Sequence, residues 1–275
     1  MPVTLLVSIF ASDILPIFLI AGVGFLLARW LDGGVKTLAH VVFYALVPCL
    51  VFKLLVASTM SGPQVGRMAL LAVLVTGLMG LLALVVAMAL RLSRAELSAF
   101  LLVVMFSNGG NYGLPVALFA FGTEALSHAT VYFVASSMLT NTAALLVLAS
   151  GISVPIAVMR PIGLLGDAAL PMMVLVLGMQ LERARVAERP TVVAVAVGLS
   201  LIVAPIVALG LSSFLGLSGA ARQAGVILAS MPVAVVTTIL ALEFDVAPAF
   251  VTNAVFISTL LSPLTLTPLI AYLRR

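Results

Sequence analysis

Apolar runs of about 18 or more residues recur along the whole chain, and they constrain its fold more than any other feature. Each run is long enough to cross roughly 30 Å of hydrocarbon as an α-helix. Because backbone in lipid has to satisfy its own hydrogen bonds, a series of such runs folds as a bundle of helices. Of the 275 residues, 64% are hydrophobic and 8% are charged, which is outside the range of soluble domains. The sequence therefore predicts an all-α polytopic membrane protein.

Hydropathy and helix breakers together predict about nine spans in a single transmembrane domain that covers residues 1–275. The connections between spans are short and leave no room for a soluble domain. Basic residues follow the first and third spans, so the positive-inside rule places the N-terminus outside. The predicted spans are 13–31, 37–58, 67–90, 96–121, 126–150, 161–182, 190–216, 220–243 and 247–273.

Charged and reactive residues argue against other classes of protein. The net charge of +4 comes from basic residues that mostly stand at helix ends, where they set topology, so we expect no nucleic-acid partner. Cys49 is the one cysteine and cannot anchor a metal site by itself. The sequence contains no H-E-x-x-H motif and no recognisable nucleophile with its base. We therefore expect that the protein is not an enzyme and that it has no cofactor and no metal site.

Matched helix breakers indicate an internal repeat, with repeat one at 13–150 and an incomplete repeat two at 152–273. Their order and approximate spacing are the same in both halves, and the polar breaks fall on the fourth helix of each half. Two halves of opposite orientation are a common plan in transporters, which build a midplane site where the halves meet. The matched pairs are Pro48 with Pro171, Pro115 with Pro232, and Asn141 with Asn253.

The stretch SNGGNYGLPVALFAFG (107–122) places polar residues, glycines and a proline inside a predicted span. Proline and glycine favour an interrupted helix, whose freed N–H groups suit a carboxylate and whose freed carbonyls suit a cation. The alternative is a proline-kinked helix whose asparagines bond neighbouring helices. The candidate substrate-binding residues are Ser107, Asn108, Gly109, Gly110, Asn111, Gly113, Pro115, Asn141, Ser230, Pro232 and Asn253.

Several motifs resemble the auxin efflux carrier family of membrane permeases in its short bacterial form: ILPIFLIAGVGFLLAR, VVFYALVPCLVFKLL, NGGNYGLPVALFAFG, LGDAALPMMVLVLGMQL and ASMPVAVVTTILALEFD. The resemblance implies two inverted five-helix repeats whose fourth and ninth helices cross at Pro115 and Pro232. It also implies that Asn108, Asn111 and Asn141 lie near a small organic anion, exported across the plasma membrane by alternating access. It leaves open whether a proton or sodium ion drives transport and whether the chain forms a homodimer.

The chain departs from this family where a sixth helix is expected, because about ten residues join the segments 145–150 and 152–161. Strict alternation of nine spans would turn the second half upside down and destroy the crossing. We expect instead that the second half keeps the inverted orientation, with 151–162 irregular and shielded from lipid. A transport-impaired remnant and a channel-like protein remain the alternatives.

Three charged residues have open roles. Lys53 could meet a substrate carboxylate or extend its amine to the membrane interface. Glu243 and Asp245 close the eighth predicted span and could bind a coupling proton or cation, or be solvated acids at a helix end.

Overall fold

The computed structural model describes residues 2–30, 34–57, 60–136, 155–182 and 189–275, and within these ranges it consists of helices without strands. The side chain of Glu243 and the residue Asn141 lie outside the described part. The helices are α1 (Val3–Trp30), α2 (Thr37–Val56), α3 (Gly62–Ala89), α4 (Arg94–Met105), α5 (Gly109–Ser136), α6 (Ile156–Leu181), α7 (Pro190–Phe214), α8 (Gly219–Ala229), α9 (Val236–Glu243) and α10 (Pro248–Leu273).

Seven of the described helices, α1, α2, α3, α5, α6, α7 and α10, are long and apolar enough to cross a membrane. This confirms the prediction of an all-α polytopic protein. The three shorter helices belong to two interrupted ones, since α4 leads into α5 and α8 leads into α9. The first helix begins at Val3, ten residues before its predicted start at Asp13. Asp13 is a buried residue inside this helix rather than its boundary.

Several prolines in these helices are preceded by a widened helical turn. Four π-helical turns occur in α1, α2, α5 and α7, and each ends two residues before a proline. In each, the residue just before the proline donates its N–H to the carbonyl five residues earlier rather than four. Proline lacks an N–H and its ring clashes with the preceding turn, so a widened turn lets the helix continue. The prolines are Pro16, Pro48, Pro115 and Pro205.

The helices pack as two groups. The first bundle consists of α1, α2 and α6, and the second of α3, α4, α5, α7, α8, α9 and α10. In the first bundle, glycines let backbones touch: a Cβ at Gly178 would lie 2.7 Å from the Cα of Ala21, and one at Gly24 would lie 3.2 Å from the Cα of Leu175. Small residues allow such close approach of membrane helices, which gives the first bundle its tight contact.

Two ion pairs fix the relative direction of the halves. Arg29 Nε lies 3.8 Å from Glu182 Oε1, so the C-terminal ends of α1 and α6 share one side. Arg189 Nη1 lies 2.6 Å from Glu96 Oε1, so the N-terminal ends of α4 and α7 share a side as well. Strict alternation of nine spans would separate both pairs across the membrane. The packing therefore supports the inverted orientation, and we call the side of these four charges the inner side.

The link between the halves corrects one expectation. Residues 156–162 belong to α6, so the prediction that 151–162 is irregular is wrong for 156–162, and within the single chain Ile156 is 69% exposed. The last 14 residues of α5, 123–136, rise about 21 Å towards the inner side. The 18 residues 137–154 lie outside the described part. Eighteen residues have a reach of well over 21 Å at about 3.3 Å each, so the chain is long enough to return to α6.

Cysteine labelling will test this orientation. In a Cys49→Ser background we expect Ser218→Cys, exposed before α8 on the outer side, to react with an impermeant maleimide in intact cells. Thr191→Cys, exposed at the inner start of α7, should react only after permeabilisation because the bilayer shields it from the reagent. Labelling of Thr191→Cys from outside would contradict the inverted halves.

Candidate functional site at the helix crossing

The two interrupted helices meet at their breaks. The N–H of Asn108 donates to the Pro232 carbonyl at 2.7 Å, and the N–H of Ala234 donates to the Phe106 carbonyl at 2.8 Å. Ser107 and Val233 thereby form an isolated antiparallel bridge. Unwound backbone in a membrane is stable only where its polar groups find partners or line a cavity. Each broken segment thus supplies the partners that the other has lost.

The crossing lies near the middle of the membrane. The 12 residues of α4 rise about 18 Å before the first break, and the 11 residues of α8 rise about 16 Å before the second. Both distances are close to half of the roughly 30 Å hydrocarbon core. Two helix C-termini, of α4 and α8, and two N-termini, of α5 and α9, therefore meet at this depth.

The position of the first break differs from the expected one. Pro232 lies in the extended segment at the crossing, as expected, but its predicted partner Pro115 does not. The crossing falls at Ser107, and Pro115 follows the π turn Gly109–Gly113 inside α5. The prediction of a crossing at Pro115 is wrong because the widened turn accommodates this proline within a helix.

Two amide side chains at the first break have unpaired atoms. Asn108 and Asn111 are each 4% exposed. Among the described residues, Nδ2 of Asn108 and Oδ1 of Asn111 have no hydrogen-bond partner. Leaving a buried donor or acceptor unpaired costs about 1–3 kcal/mol, so native structures rarely keep one without a role. As far as the described residues show, the crossing therefore presents one donor atom and one acceptor atom without partners near the membrane centre.

Close packing explains two of the three glycines. A Cβ at Gly110 would lie 3.0 Å from the Phe133 ring, and one at Gly113 would lie 3.0 Å from Met231 Cγ. At Gly109 the nearest atom would be 3.7 Å away, an ordinary contact. Gly110 and Gly113 thus allow α5 to approach its neighbours, whereas space does not explain Gly109.

The second-half candidates bond within their own helices. The Ser230 hydroxyl donates to the Val226 carbonyl at 2.7 Å, and Asn253 Nδ2 donates to the Ala249 carbonyl at 2.7 Å. Both side chains are buried, but these donors are already used. Among the candidate residues that the structure describes, the first half therefore contributes the polar atoms without partners at the crossing.

Helix α10 contributes residues that the sequence reading missed. The Val233 N–H donates to Ser258 Oγ at 3.1 Å, and Ser262 Oγ donates to Tyr112 Oη at 3.1 Å. Ser258 and Ser262 stand one helical turn apart, a spacing that places both on one face. This spacing in the sequence could have identified them, because serines at i and i+4 in an apolar helix can form hydrogen bonds with a neighbouring segment.

The crossing faces the first bundle across a nearly closed interface. Tyr112 is fully buried there, and its ring meets the Phe18 ring edge-on with centroids 6.1 Å apart. A cavity of about 10 Å³ between the bundles is lined by Ile17, Phe18, Ala21, Tyr112, Leu177, Leu181 and Thr259. This volume is about that of one water molecule, so a substrate enters only if the bundles separate.

A larger cavity of about 190 Å³ opens at the inner ends of α4, α7 and α10, and the Glu96–Arg189 ion pair lines it.

Lys53 is not near the crossing, because its amine pairs with the Asp167 carboxylate of α6 within the first bundle. The described residues hold no group of three or more His, Cys, Asp or Glu side chains placed to bind a metal ion.

Comparison with known proteins agrees with this architecture. Residues 9–152 and 143–270 match the model of a family described as membrane transport protein. The chain belongs to this family. The resemblance to the auxin efflux carriers is thereby confirmed at the family level, and the chain is a multi-pass membrane transporter.

The sequence of this transporter is similar to that of another protein. It is described as an uncharacterized transporter from Methanothermobacter thermautotrophicus and is 27% identical over 263 residues, which cover 84% of this chain and 86% of the relative. The similarity therefore extends over most of both chains.

Proposed function

We propose that this transporter exports small organic anions, carboxylates in particular, across the plasma membrane by alternating access at the helix crossing. The observation that carries the proposal is the pair of buried amides, Asn108 and Asn111, each with one atom near the membrane centre that has no partner in the described part of the chain. A bound molecule that accepts from Nδ2 and donates to Oδ1 would satisfy both. A small hydroxylated or protonated carboxylic acid has both kinds of group.

The helix ends at the crossing support an anion as the substrate. Helices α5 and α9 begin there, and a helix N-terminus carries about half a positive charge on free N–H groups. The C-terminal ends of α4 and α8 bring the partial negative charge of two helix dipoles to the same depth, which suits a small coupling cation. An anion and a cation would then be held by opposite dipole ends of four half-helices.

The division into two bundles supports alternating access. The crossing belongs to the second bundle, and the small cavity beside Tyr112 lies between that bundle and α1 and α6. Since the cavity is lined mainly by apolar side chains, the bundles can move apart without breaking a polar network there. Movement of one bundle against the other would expose the crossing to either side in turn.

Counterflow in proteoliposomes tests this proposal. Vesicles loaded with unlabelled malate, succinate or lactate should accumulate the matching radiolabelled acid transiently, with saturation, because a carrier exchanges its substrate across the membrane. Empty liposomes are the control. Flux that does not saturate and shows no counterflow would indicate a channel instead, and absence of flux for the whole panel would support a transport-impaired remnant.

A further inference from the structure

A buried acidic residue in the first helix lies away from the crossing. Asp13 is 3% exposed and belongs to the π turn of α1. Its Oδ1 accepts from the Ser12 hydroxyl at 2.8 Å, and its Oδ2 lies 2.8 Å from Nη2 of Arg274 at the end of α10, an ion pair whose geometry is not that of a hydrogen bond. Acidic side chains inside membrane helices are costly, are almost always paired, and frequently have a function.

The same arginine also holds the outer end of the broken helix. Arg274 donates from Nε at 3.1 Å and from Nη2 at 2.7 Å to the carbonyl of Ala120. Gly122, with φ 81° and ψ −171°, interrupts α5 just beyond this point. The interruption frees the Ala120 carbonyl from helical bonding, and this C-terminal helix end attracts a cation. Arg274 therefore joins α1, α5 and α10 at one point.

The Asp13–Arg274 ion pair joins the two bundles, whereas the other ion pairs of the described residues lie within one bundle. The Arg29–Glu182 and Lys53–Asp167 pairs lie within the first bundle, and the Arg189–Glu96 pair lies within the second. In the part of the chain that the structure describes, only Asp13 and Arg274 form an ion pair between the bundles. The pair lies on the outer side, where α10 ends and α8 begins, as the 2.9 Å bond from Gln223 Nε2 to the Leu273 carbonyl shows.

We propose that Arg274, which the Ala120 carbonyl holds in place within the second bundle, is an outer latch that joins the two bundles through Asp13. The latch rests on the proposed alternating access, because it closes the outer path to the crossing and has to open whenever the site faces outward. Water that enters the opened path solvates the separated carboxylate and guanidinium, which makes the release reversible. Asp13 and Arg274 thereby control which side of the membrane the site faces.

Accessibility of a buried cysteine tests the latch without any substrate. Ala117 is fully buried on α5, one turn before Ala120 and on the outer side of the crossing. With Ala117→Cys in a Cys49→Ser background, we expect slow reaction with an impermeant maleimide applied outside intact cells. Asp13→Asn and Arg274→Gln should each raise the labelling rate at least tenfold, because the outward-open state becomes more populated. Arg274→Lys, which keeps one charge but loses the forked contact, should raise it less.

Lys53→Gln is the matched control, since it breaks an ion pair within one bundle and should leave labelling unchanged. Unchanged labelling in both Asp13→Asn and Arg274→Gln would overturn the latch, and so would an equal rise in Lys53→Gln. Each variant is first checked for a single peak in size-exclusion chromatography, and Arg274→Lys carries the test if the neutral variants fail to fold. A rise confined to the latch variants supports the latch even if the carboxylate panel shows no counterflow, which would contradict only the proposed substrate. Normal counterflow with unchanged labelling would remove the latch alone.

Discussion

Replacing Asn108 and Asn111 together with alanine should reduce carboxylate counterflow roughly a hundredfold and leave the transporter folded. Each amide has one buried atom without a hydrogen-bond partner among the described residues, so replacing the side chain breaks no bond made by that atom. A hydrogen bond to a charged group contributes about 1.5–3 kcal/mol and one to a neutral hydroxyl about 0.5–1.5 kcal/mol, so loss of one of each to the substrate accounts for the expected effect. The initial rate of labelled acid uptake, measured against substrate concentration, provides the comparison with the unaltered protein.

Thr130→Ala is the matched control for these variants. Thr130 is buried in α5, and its hydroxyl donates to the Leu126 carbonyl of the same helix at 2.8 Å. We expect uptake within about twofold of the original rate, since a hydrogen bond within a helix contributes little to binding elsewhere. If the double variant transports as well as this control does, the amides are not part of the substrate site.

Gly178→Ala should strongly reduce the amount of folded protein. Its Cβ would overlap the carbonyl of Ala21, a backbone group that no rotamer change can move. Helices α1 and α6 would have to separate, and overpacking against a backbone group lies near the upper end of the usual cost of about 1–3 kcal/mol. For a chain of this size we expect a melting temperature lower by roughly 5–10 °C in a thermal-shift measurement in detergent.

Gly163→Ala on the same helix provides the comparison. Outside its own stretch of helix backbone, no described atom lies within 4 Å of a Cβ at Gly163, and alanine is a better helix former than glycine by about 1 kcal/mol. We therefore expect an unchanged or slightly higher melting temperature for this variant. Equal destabilisation by both substitutions would mean that loss of glycine itself, and not the contact between α1 and α6, is responsible.

Local sequence determines most of the helices of this protein and that one of them is interrupted within 107–122. The predicted spans 37–58 and 190–216 agree closely with α2 and α7, because a long apolar run satisfies its backbone only as a helix. An interruption within 107–122 is predicted because glycine and proline lower the cost of leaving the helix, although the first half-helix ends at Met105 and not at Pro115. Asn108 and Asn111 are predicted as candidates because their side chains add hydrogen-bond donors and acceptors at this break.

Contacts between residues far apart in the sequence determine the remaining features of the fold. Asp13 marked a helix start in the sequence, yet it lies inside α1 because Arg274, from the other end of the chain, pairs with it. Pro115 marked the crossing, yet the bond from Asn108 to Pro232 places it at Ser107. Sequence alone therefore determined that helices form along most of the chain and that one is interrupted within 107–122, since these features depend on residues within one or two turns. Which breaks meet, which charges pair and which way the second half runs depend on burial of polar groups by partners far along the chain, which only the tertiary structure provides.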